Sequence, residues 1–433
     1  MCCLRVKAGM ADLLGIRDFI GRFDRQVWAL FGASIVAVMG SSLVMTFMSI
    51  YMYEHLGMTM TQVGIADFIT TIMGAGAAYA GGSLCDTYGR RKLLIAGLTL
   101  QVFSYLLISL SIDARLSIPL FIAALAFNSF NGGLYSTIPS VMIADIVEPG
   151  RLVEAYGLTR IGSNLGWVAG PIIGGVFLIF TSYANLFYIT AITTFTYLLI
   201  ALFVLRDTRP KIATERFKFR DIITVAGDRQ FLAFCLLSLF MTIPYQQMYT
   251  LFSVYSSAYV GLSQFWIGVL FALSGMMVAS TQYYISIRVS RHRMTSMIAL
   301  GALVFALGFG MLSISTAIFM PFLGMAIITT GEMIWSPASS TLQANMSPEK
   351  MRGRYFGLNG LTGNIGWAIG PLFGGVLKDS MNNHVPAMWA VIGAMFLLCT
   401  LSFIMLGRAI PEKTNGALKI SKKQETLEKK INA

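Results

Sequence analysis

Residues 157–176 read GLTRIGSNLGWVAGPIIGGV, and residues 357–376 read GLNGLTGNIGWAIGPLFGGV. Ten of these twenty positions are identical at a constant offset of 200 residues, without a gap. The same offset pairs Ser136 with Ser336 and Ala144 with Ala344. A repeat of this length indicates two halves of about 200 residues that share one design.

The composition is that of a membrane protein. Hydrophobic residues make up 56% of the chain and charged residues 12%, and the mean hydropathy is +0.69. Soluble domains carry roughly 25% charged residues. Apolar stretches of about 20 residues, long enough to cross a bilayer, follow one another along the chain. Because backbone groups in lipid must be hydrogen-bonded within their own segment, we predict that these stretches are helices.

Twelve transmembrane helices are predicted, and the repeat divides them into two pseudo-symmetric six-helix bundles, an all-α membrane fold. The helices are expected at about 28–50, 62–81, 91–111, 117–143, 157–180, 185–205, 231–255, 264–288, 294–315, 318–345, 357–376 and 386–407. The predicted domains are an N-terminal segment (1–27), a first bundle (28–205), a linker (206–230), a second bundle (231–407) and a basic tail (408–433).

The net charge of +12 follows from topology and does not indicate a nucleic-acid partner. If the N-terminus is cytoplasmic, 30 of the 32 Lys and Arg residues fall on the cytoplasmic side, and only Arg115 and Lys378 fall on the other. This asymmetry follows the positive-inside rule. We therefore expect both termini to be cytoplasmic.

The turn between helices 2 and 3 carries the first family signature. Residues 82–92 read GSLCDTYGRRK. They match the pattern G-x-L-x-D-x-x-G-R-R-K at Gly82, Leu84, Asp86, Gly89, Arg90, Arg91 and Lys92. On these residues the chain resembles the Major Facilitator Superfamily.

The resemblance implies that this turn is a conformational latch, which holds the two halves together on the cytoplasmic side. The Asp86 carboxylate is expected to face the positive N-terminal end of helix 11, near residues 355–357. Arg90 is expected to reach Asp145 at the end of helix 4.

Each copy of the repeat matches a second signature, G-x-x-x-G-P-x-x-G-G, which resembles that of the twelve-helix drug:proton antiporter branch of the superfamily. The matching residues are Gly166, Gly170, Pro171, Gly174 and Gly175 in the first copy, and Gly366, Gly370, Pro371, Gly374 and Gly375 in the second. Closely spaced glycines let another backbone approach, and proline bends a helix. We predict a helix seam in each half, either a hinge or a plain packing surface.

Polar residues inside predicted spans are candidates for lining a cavity. The candidates are Asn128, Asn131, Tyr135, Tyr245, Gln246, Gln247, Tyr249, Gln282 and Trp335. Such residues are unfavourable in lipid unless they face a cavity or another helix. The alternative for the asparagines is that they only join helices by hydrogen bonds. In the antiporter branch an arginine usually stands near the position of Asn128, and its absence weakens the match to that branch.

Two carboxyl groups lie within the predicted spans. Glu332 is placed near the middle of helix 10, and Asp67 is placed nearer the outer end of helix 2. An ionisable group inside a membrane is a functional candidate, and poor solvation favours its protonated form. We therefore predict that Glu332, and less centrally Asp67, couple transport to protons. The alternative for Glu332 is a permanently neutral carboxyl that joins helices.

Together these features predict a secondary transporter that exposes a central site to each side of the membrane in turn. The resemblance implies proton-coupled efflux of drug-like or amphipathic small molecules. Two alternatives are proton-coupled uptake of a neutral solute such as a sugar, and a receptor or assembly factor that keeps the fold without transport. The sequence offers no nucleophile–base pair, metal cluster or phosphate-binding loop, so neither an enzyme nor a cofactor is expected. The expected partners are the substrate, protons and the lipid of the plasma (cell inner) membrane, and the expected state is a monomer.

Overall fold

The computed structural model describes residues 23–148, 151–208, 225–314, 316–348, 351–381 and 384–416. The predicted N-terminal segment, linker and tail therefore lie largely outside the described residues. The side chains at positions 82, 83, 86, 87 and 153 are also outside this description, which leaves the predicted role of Asp86 as a prediction.

Twelve long helices form nearly all of the described part, and none of its residues belongs to a strand. They are α1 (Arg25–His55), α2 (Met60–Tyr88), α3 (Arg90–Asp113), α4 (Ile118–Ile146), α5 (Leu152–Phe180), α6 (Tyr183–Phe203), α7 (Arg229–Tyr259), α8 (Gln264–Val289), α9 (Met294–Met311), α10 (Met320–Met346), α11 (Arg352–Ser380) and α12 (Val385–Ala409). The predicted all-α membrane fold is confirmed.

Ten of the described helices are long and apolar enough to cross a membrane. The other two, α10 and α11, have 27 and 29 residues and are long enough as well. Their mean hydropathy is lower because glycines, amides and hydroxyl residues replace aliphatic ones. These are also the two helices that carry Glu332 and the second copy of the repeat.

The turn predicted at 84–92 is much shorter in the structure. Helix α2 continues to Tyr88 and α3 begins at Arg90, so only Gly89 lies outside a helix. Gly89 has a φ of 90°. Residues with a side chain rarely adopt this conformation, which gives a physical reason for the glycine in the signature.

Three helices change geometry along their length. Helix α1 ends in a π-helical turn, Tyr51–His55, and α7 ends in another, Tyr255–Tyr259. Helix α4 is interrupted at Thr137, directly before a proline-containing segment, Ile138–Ile146. A proline ring removes a backbone donor and disturbs the preceding turn, which accounts for this break.

The described residues divide into two compact units. Unit 1 contains those within Met1–Gly57, Ala66–Glu215 and Ser263–Gly275. Unit 2 contains those within Met58–Ile65, Arg216–Leu262 and Met276–Ala433. Helices α2 and α8 thus each contribute to both units. The domain boundaries predicted from the sequence stay a prediction.

Each unit repeats one packing arrangement. In unit 1, α1 packs on α5 and α6, and α3 packs on α4 and α6. In unit 2, α7 packs on α11 and α12, and α9 packs on α10 and α12. The core of unit 2 is aromatic: the rings of Phe309 and Phe396 stack with centroids 5.4 Å apart, and Trp389 lies 5.8 Å from Phe309.

The two halves are not related by a single offset. Gly170 packs on Ser42, and Gly370 packs on Gln246, so α1 and α7 correspond four residues away from the 200-residue register. The two π-helical turns show the same displacement. Four residues are about one helical turn. Along α1, seven residues are identical to their α7 partners at an offset of 204 residues, against three at an offset of 200.

Candidate functional site

The middle of α7 is irregular where the sequence places its polar residues. Its α-helical part ends at Tyr245, a 3₁₀ turn follows at Gln246–Met248, and the α-helix resumes at Leu251. Pro244 lies directly before this change and weakens the regular hydrogen-bond ladder. Tyr245, Gln246 and Gln247 are buried there.

An aromatic cluster in unit 2 contains two tyrosines that interact with Glu332. The hydroxyl groups of Tyr245 and Tyr249 are 3.4 Å apart. Both tyrosines interact electrostatically with the Glu332 carboxyl group. The rings of Trp335 and Phe305 lie 5.4 Å and 5.5 Å from that of Tyr245. The predicted candidates Glu332, Tyr245, Tyr249 and Trp335 are therefore brought together.

Helix α11 forms another wall of this cluster. The ring of Trp367 lies 5.7 Å from that of Tyr249. The Gln246 side-chain amide donates to the Trp367 carbonyl oxygen at 3.5 Å. The stretches 241–250, 328–339 and 362–375, which supply these residues, contain no Lys or Arg. We call Glu332, Tyr245, Tyr249, Trp335 and Trp367 the carboxylate cage.

The two adjacent glutamines have different surroundings. Gln247 is fully buried, and its amide donates to the carbonyl oxygens of Gly370 and Ile243 at 2.7 Å and 2.9 Å. These bonds give Gln247 a packing role between α7 and α11. Gln246 Oε1 is also buried, but it has no hydrogen-bond partner among the described residues, and the same is true of Trp335 Nε1.

Gln282 lies beside the cage on α8. Its amide donates to the Met333 carbonyl oxygen at 3.1 Å and to the Ser286 hydroxyl at 2.9 Å. This contact connects α8 to the turn of α10 that carries Glu332. Gln282 therefore positions that turn, and its predicted role in lining a cavity stays a prediction.

The predicted polar face of α4 belongs to an uncharged network in unit 1. Asn128 Oδ1 accepts from Gln101 Nε2 at 2.7 Å and from the Ser104 hydroxyl at 2.9 Å. Asn131 is buried, and its Nδ2 has no partner among the described residues. Tyr135 packs on Gly97, because a Cβ added to Gly97 would lie 2.9 Å from the Cβ of Tyr135. Sequence reasoning missed Gln101, since one glutamine in an apolar helix gave no pattern.

Among the described residues, no hydrogen bond joins Asp67 to this network. It lies in the part of α2 that belongs to unit 1 and is half-buried, and its backbone carbonyl accepts from the Thr70 hydroxyl at 3.0 Å. Glu332 belongs to unit 2. The proposed coupling roles of both carboxyl groups stay predictions.

The latch region shows the predicted ion pair. Arg90 is paired with Asp145, and both side chains are less than 10% exposed. The Thr208 hydroxyl donates to the same Asp145 oxygen at 2.8 Å. The Arg91 guanidinium donates to the carbonyl oxygens of Ala201 and Leu202 at the end of α6. Lys92 is exposed.

A segment after the last helix of each half binds the start of another helix in the same half. The sequence did not predict this contact. In unit 1, Asp207 Oδ1 accepts from the backbone N–H of Arg91, near the start of α3, at 3.1 Å. In unit 2, Asn415 Oδ1 accepts from the backbone N–H of Thr295, near the start of α9, at 3.0 Å. Each bond satisfies a donor that a helix start leaves free. Asp207 and Asn415 are 208 residues apart, which matches neither the 200-residue nor the 204-residue offset, so the sequence repeat does not pair them.

The repeated glycines form a packing seam in each unit. A Cβ on Gly166 would lie 2.8 Å from the backbone nitrogen of Met39 in α1, and Gly170 and Gly174 pack on the same helix. In unit 2, a Cβ on Gly366 would lie 2.9 Å from the Cβ of Thr242 in α7, and Gly370 and Gly374 continue that row. Packing is thus shown for these glycines, and flexing along the seam stays a prediction.

The last glycine of each copy faces a different helix. Gly175 packs on Gln264 at the start of α8, and Gly375 packs on Met60 at the start of α2. The carbonyl oxygens of Pro171 and Pro371 face Gly268 and Gly64 on the same two helices. Proline therefore stands where α5 and α11 meet a second neighbour.

Asp379 was also missed, and it secures the start of α2 in unit 2. Its carboxylate accepts from the backbone N–H groups of Thr61 and Met60 at 2.7 Å and 3.3 Å. Asp379 lies beyond the apolar stretch 357–376. Partial burial by itself raises the pKa of Asp379, but hydrogen bonds from Thr61 and Thr59 and the charge of Lys378 outweigh it, so this pKa lies below its ordinary value.

Comparison with known proteins places these features in a family. The model for the Major Facilitator Superfamily matches residues 30–371 and 334–430. The chain belongs to the Major Facilitator Superfamily. It is 26% identical over 350 residues to the MFS-type transporter YttB of Bacillus subtilis (strain 168), covering 79% of this chain and 86% of that protein. This chain is therefore a membrane protein of the transporter class.

Two further relatives have more specific names. The chain is 24% identical over 359 residues to a Na(+), Li(+), K(+)/H(+) antiporter of Planococcus maritimus, covering 76% of this chain and 84% of that protein. It is 23% identical over 392 residues to the multidrug resistance protein MdtH of Escherichia coli O1:K1 / APEC, covering 88% and 93%. Among solved structures, a D-xylose-proton symporter is similar with a TM-score of 0.71 at 14% identity, covering 90% of this chain and 98% of that one. That similarity concerns the fold alone.

Proposed function

We propose that this transporter exports drug-like or amphipathic small molecules in exchange for protons, and that its substrates are organic cations. The observation that carries the proposal is the carboxylate cage, in which Glu332 lies among Tyr245, Tyr249, Trp335 and Trp367. Aromatic faces attract cations, and this attraction is strongest where water is excluded.

Exchange follows from the presence of a single carboxyl group in the cage. A protonated Glu332 has no charge to offer a cation, and a Glu332 that holds a cation has no room for a proton. Binding of one therefore disfavours binding of the other, which is the thermodynamic requirement for antiport. The names of two relatives, an antiporter for monovalent cations and protons and a multidrug resistance protein, support this direction.

The protein is proposed to act as a monomer in the plasma membrane with both termini in the cytoplasm. The placement of Lys and Arg supports this orientation. Under it, the cage receives substrate from the cytoplasm and protons from outside.

The test uses inverted membrane vesicles with an imposed proton gradient and a panel of fluorescent lipophilic cations. Vesicles that contain the protein should accumulate dye when their interior is acid, and collapsing the gradient should release it. Glu332→Gln should abolish gradient-driven accumulation, and Glu412→Gln, at an exposed carboxyl after α12, is the matched control. Dye uptake that is independent of the gradient, or unchanged in Glu332→Gln, contradicts the proposal.

A second candidate function is proton-coupled uptake of a neutral solute. It is favoured by the uncharged network of Asn128, Gln101 and Ser104, which stands where the antiporter branch carries a positive charge. Right-side-out vesicles with an inward proton gradient separate the two, because a symporter would concentrate radiolabelled sugars or nucleosides and not dyes. A lack of any gradient-driven flux would instead favour a non-transporting receptor.

A further inference from the structure

The Gln246 side chain presents a hydrogen-bond acceptor that nothing in the described part of the chain satisfies. Gln246 is 5% exposed, and its Oε1 has no partner there. Its Nε2 faces the carbonyl oxygen of Trp367 at 3.5 Å. Because a carbonyl can only accept, this neighbour fixes the amide with its nitrogen toward α11 and leaves Oε1 as the free atom.

This free acceptor borders the carboxylate cage. Gln246 and Tyr249 are three residues apart, and residues at that spacing are neighbours on a helix. Both also contact Trp367, through its carbonyl and its ring respectively. Gln246 Oε1 therefore adds a neutral acceptor to a site whose charge comes from Glu332.

A buried acceptor without a donor is unfavourable, and native proteins satisfy such groups with protein, water or ligand. Gln247, the next residue, shows the contrast, since its Oε1 accepts a hydrogen bond from the Thr250 hydroxyl at 3.4 Å. The unpaired state of Gln246 Oε1, at the Trp367 side of the carboxylate cage, indicates a ligand group that carries both a positive charge and an N–H.

We propose that the cage selects protonated amines over quaternary cations. This inference rests on the proposed export of organic cations and specifies their chemistry. The ammonium charge pairs with Glu332 while its N–H donates to Gln246 Oε1. A quaternary ammonium has the same charge but no N–H, so its binding leaves Oε1 buried and unpaired. Trp335 Nε1, the other unpaired group, is a donor and therefore does not distinguish the two cations.

Equilibrium binding to the purified protein in detergent tests this selectivity. The probes are naphthylmethyl-dimethylammonium, which carries one N–H at pH 7, and naphthylmethyl-trimethylammonium, which differs from it by one methyl group. Calorimetric titration should give about tenfold tighter binding of the dimethyl compound, corresponding to about 1.4 kcal/mol.

Two variants locate the selectivity. Gln246→Met removes the acceptor at similar length and should bring the ratio of the two dissociation constants close to one. Gln230→Met makes the same exchange at an exposed amide of α7 that donates to the Ala409 carbonyl oxygen, outside the cage, and the ratio should remain about tenfold. Thermal melting of each variant shows whether it is folded. The ratio of the two dissociation constants in the unaltered protein tests the selectivity even if a variant does not fold.

Equal affinity of the two probes for the unaltered protein overturns the inference and leaves cation export intact. A preference that survives in Gln246→Met also overturns it, because the selectivity then comes from elsewhere. Failure of both probes to bind contradicts the proposed substrate class itself, so the two failures are distinguishable.

Discussion

Gly64 in α2 lets this helix approach α11 at the Pro371–Leu372 peptide. A Cβ on Gly64 would lie 2.6 Å from both the Pro371 carbonyl oxygen and the Leu372 Cα, and 2.9 Å from the Leu372 nitrogen. All three atoms are backbone, so no side chain can rotate away to make room. Gly64→Ala therefore requires a shift of the two helix axes.

The expected magnitude combines two opposing effects. Overpacking of this kind costs about 1–3 kcal/mol. Replacing glycine by alanine inside a helix recovers roughly 0.5–1 kcal/mol. The middle of each range gives a net loss in the free energy of unfolding of about 1 kcal/mol. Gly76 is a matched control on the same helix, because a Cβ there would have no atom within 4 Å. Gly76→Ala should therefore raise stability slightly.

Thermal melting of both variants in the same detergent measures the difference. Gly64→Ala should melt below the unaltered protein, and Gly76→Ala at or above it. If the two variants melt alike, the close approach of α2 to α11 does not constrain the structure, and the reasoning from the glycine contacts fails.

Three further predictions concern polar contacts. Asp145→Asn should destabilise the protein by about 3 kcal/mol in the same melting assay, because it leaves the Arg90 charge buried and unpaired. A loss of stability below about 1 kcal/mol would contradict a buried ion pair. Asp207→Ala and Asn415→Ala should each cost about 1 kcal/mol, because each removes a hydrogen bond to a helix start, and hydrogen exchange should rise at the starts of α3 and α9 respectively. The Asp379 pKa is lowered in the folded state, so its contribution to stability is present above the ordinary aspartate pKa and is lost as the pH falls through the lowered value. Asp379→Asn should therefore flatten the acid side of the melting profile, and a profile unchanged in this variant would refute the role of the carboxylate.

Much of the candidate site could be predicted from the sequence. An ionisable or amide residue in an apolar span is conspicuous, which identified Glu332, Gln246 and Asn128. The predicted pairing of Arg90 with Asp145 came from a family signature and is present. The sequence did not separate Gln246 from Gln247, which are chemically identical and adjacent. Only the packing of α11 shows that one amide bonds to backbone carbonyls and the other leaves an acceptor free.

The sequence alone determined the number of long helices, and it predicted two halves and an orientation in the membrane. These depend on hydrophobicity and charge, which act within a segment or at its ends. Tertiary structure decided what each helix contacts, because those contacts join residues far apart in the chain. The repeated glycines show the difference. Their sequence predicted a close approach, but only the structure shows that Gly166 packs on α1 and Gly175 packs on α8. The structure also shows that α1 and α7 correspond one helical turn away from the 200-residue register. Asp379 binds the start of α2, a contact that no local sequence pattern could specify.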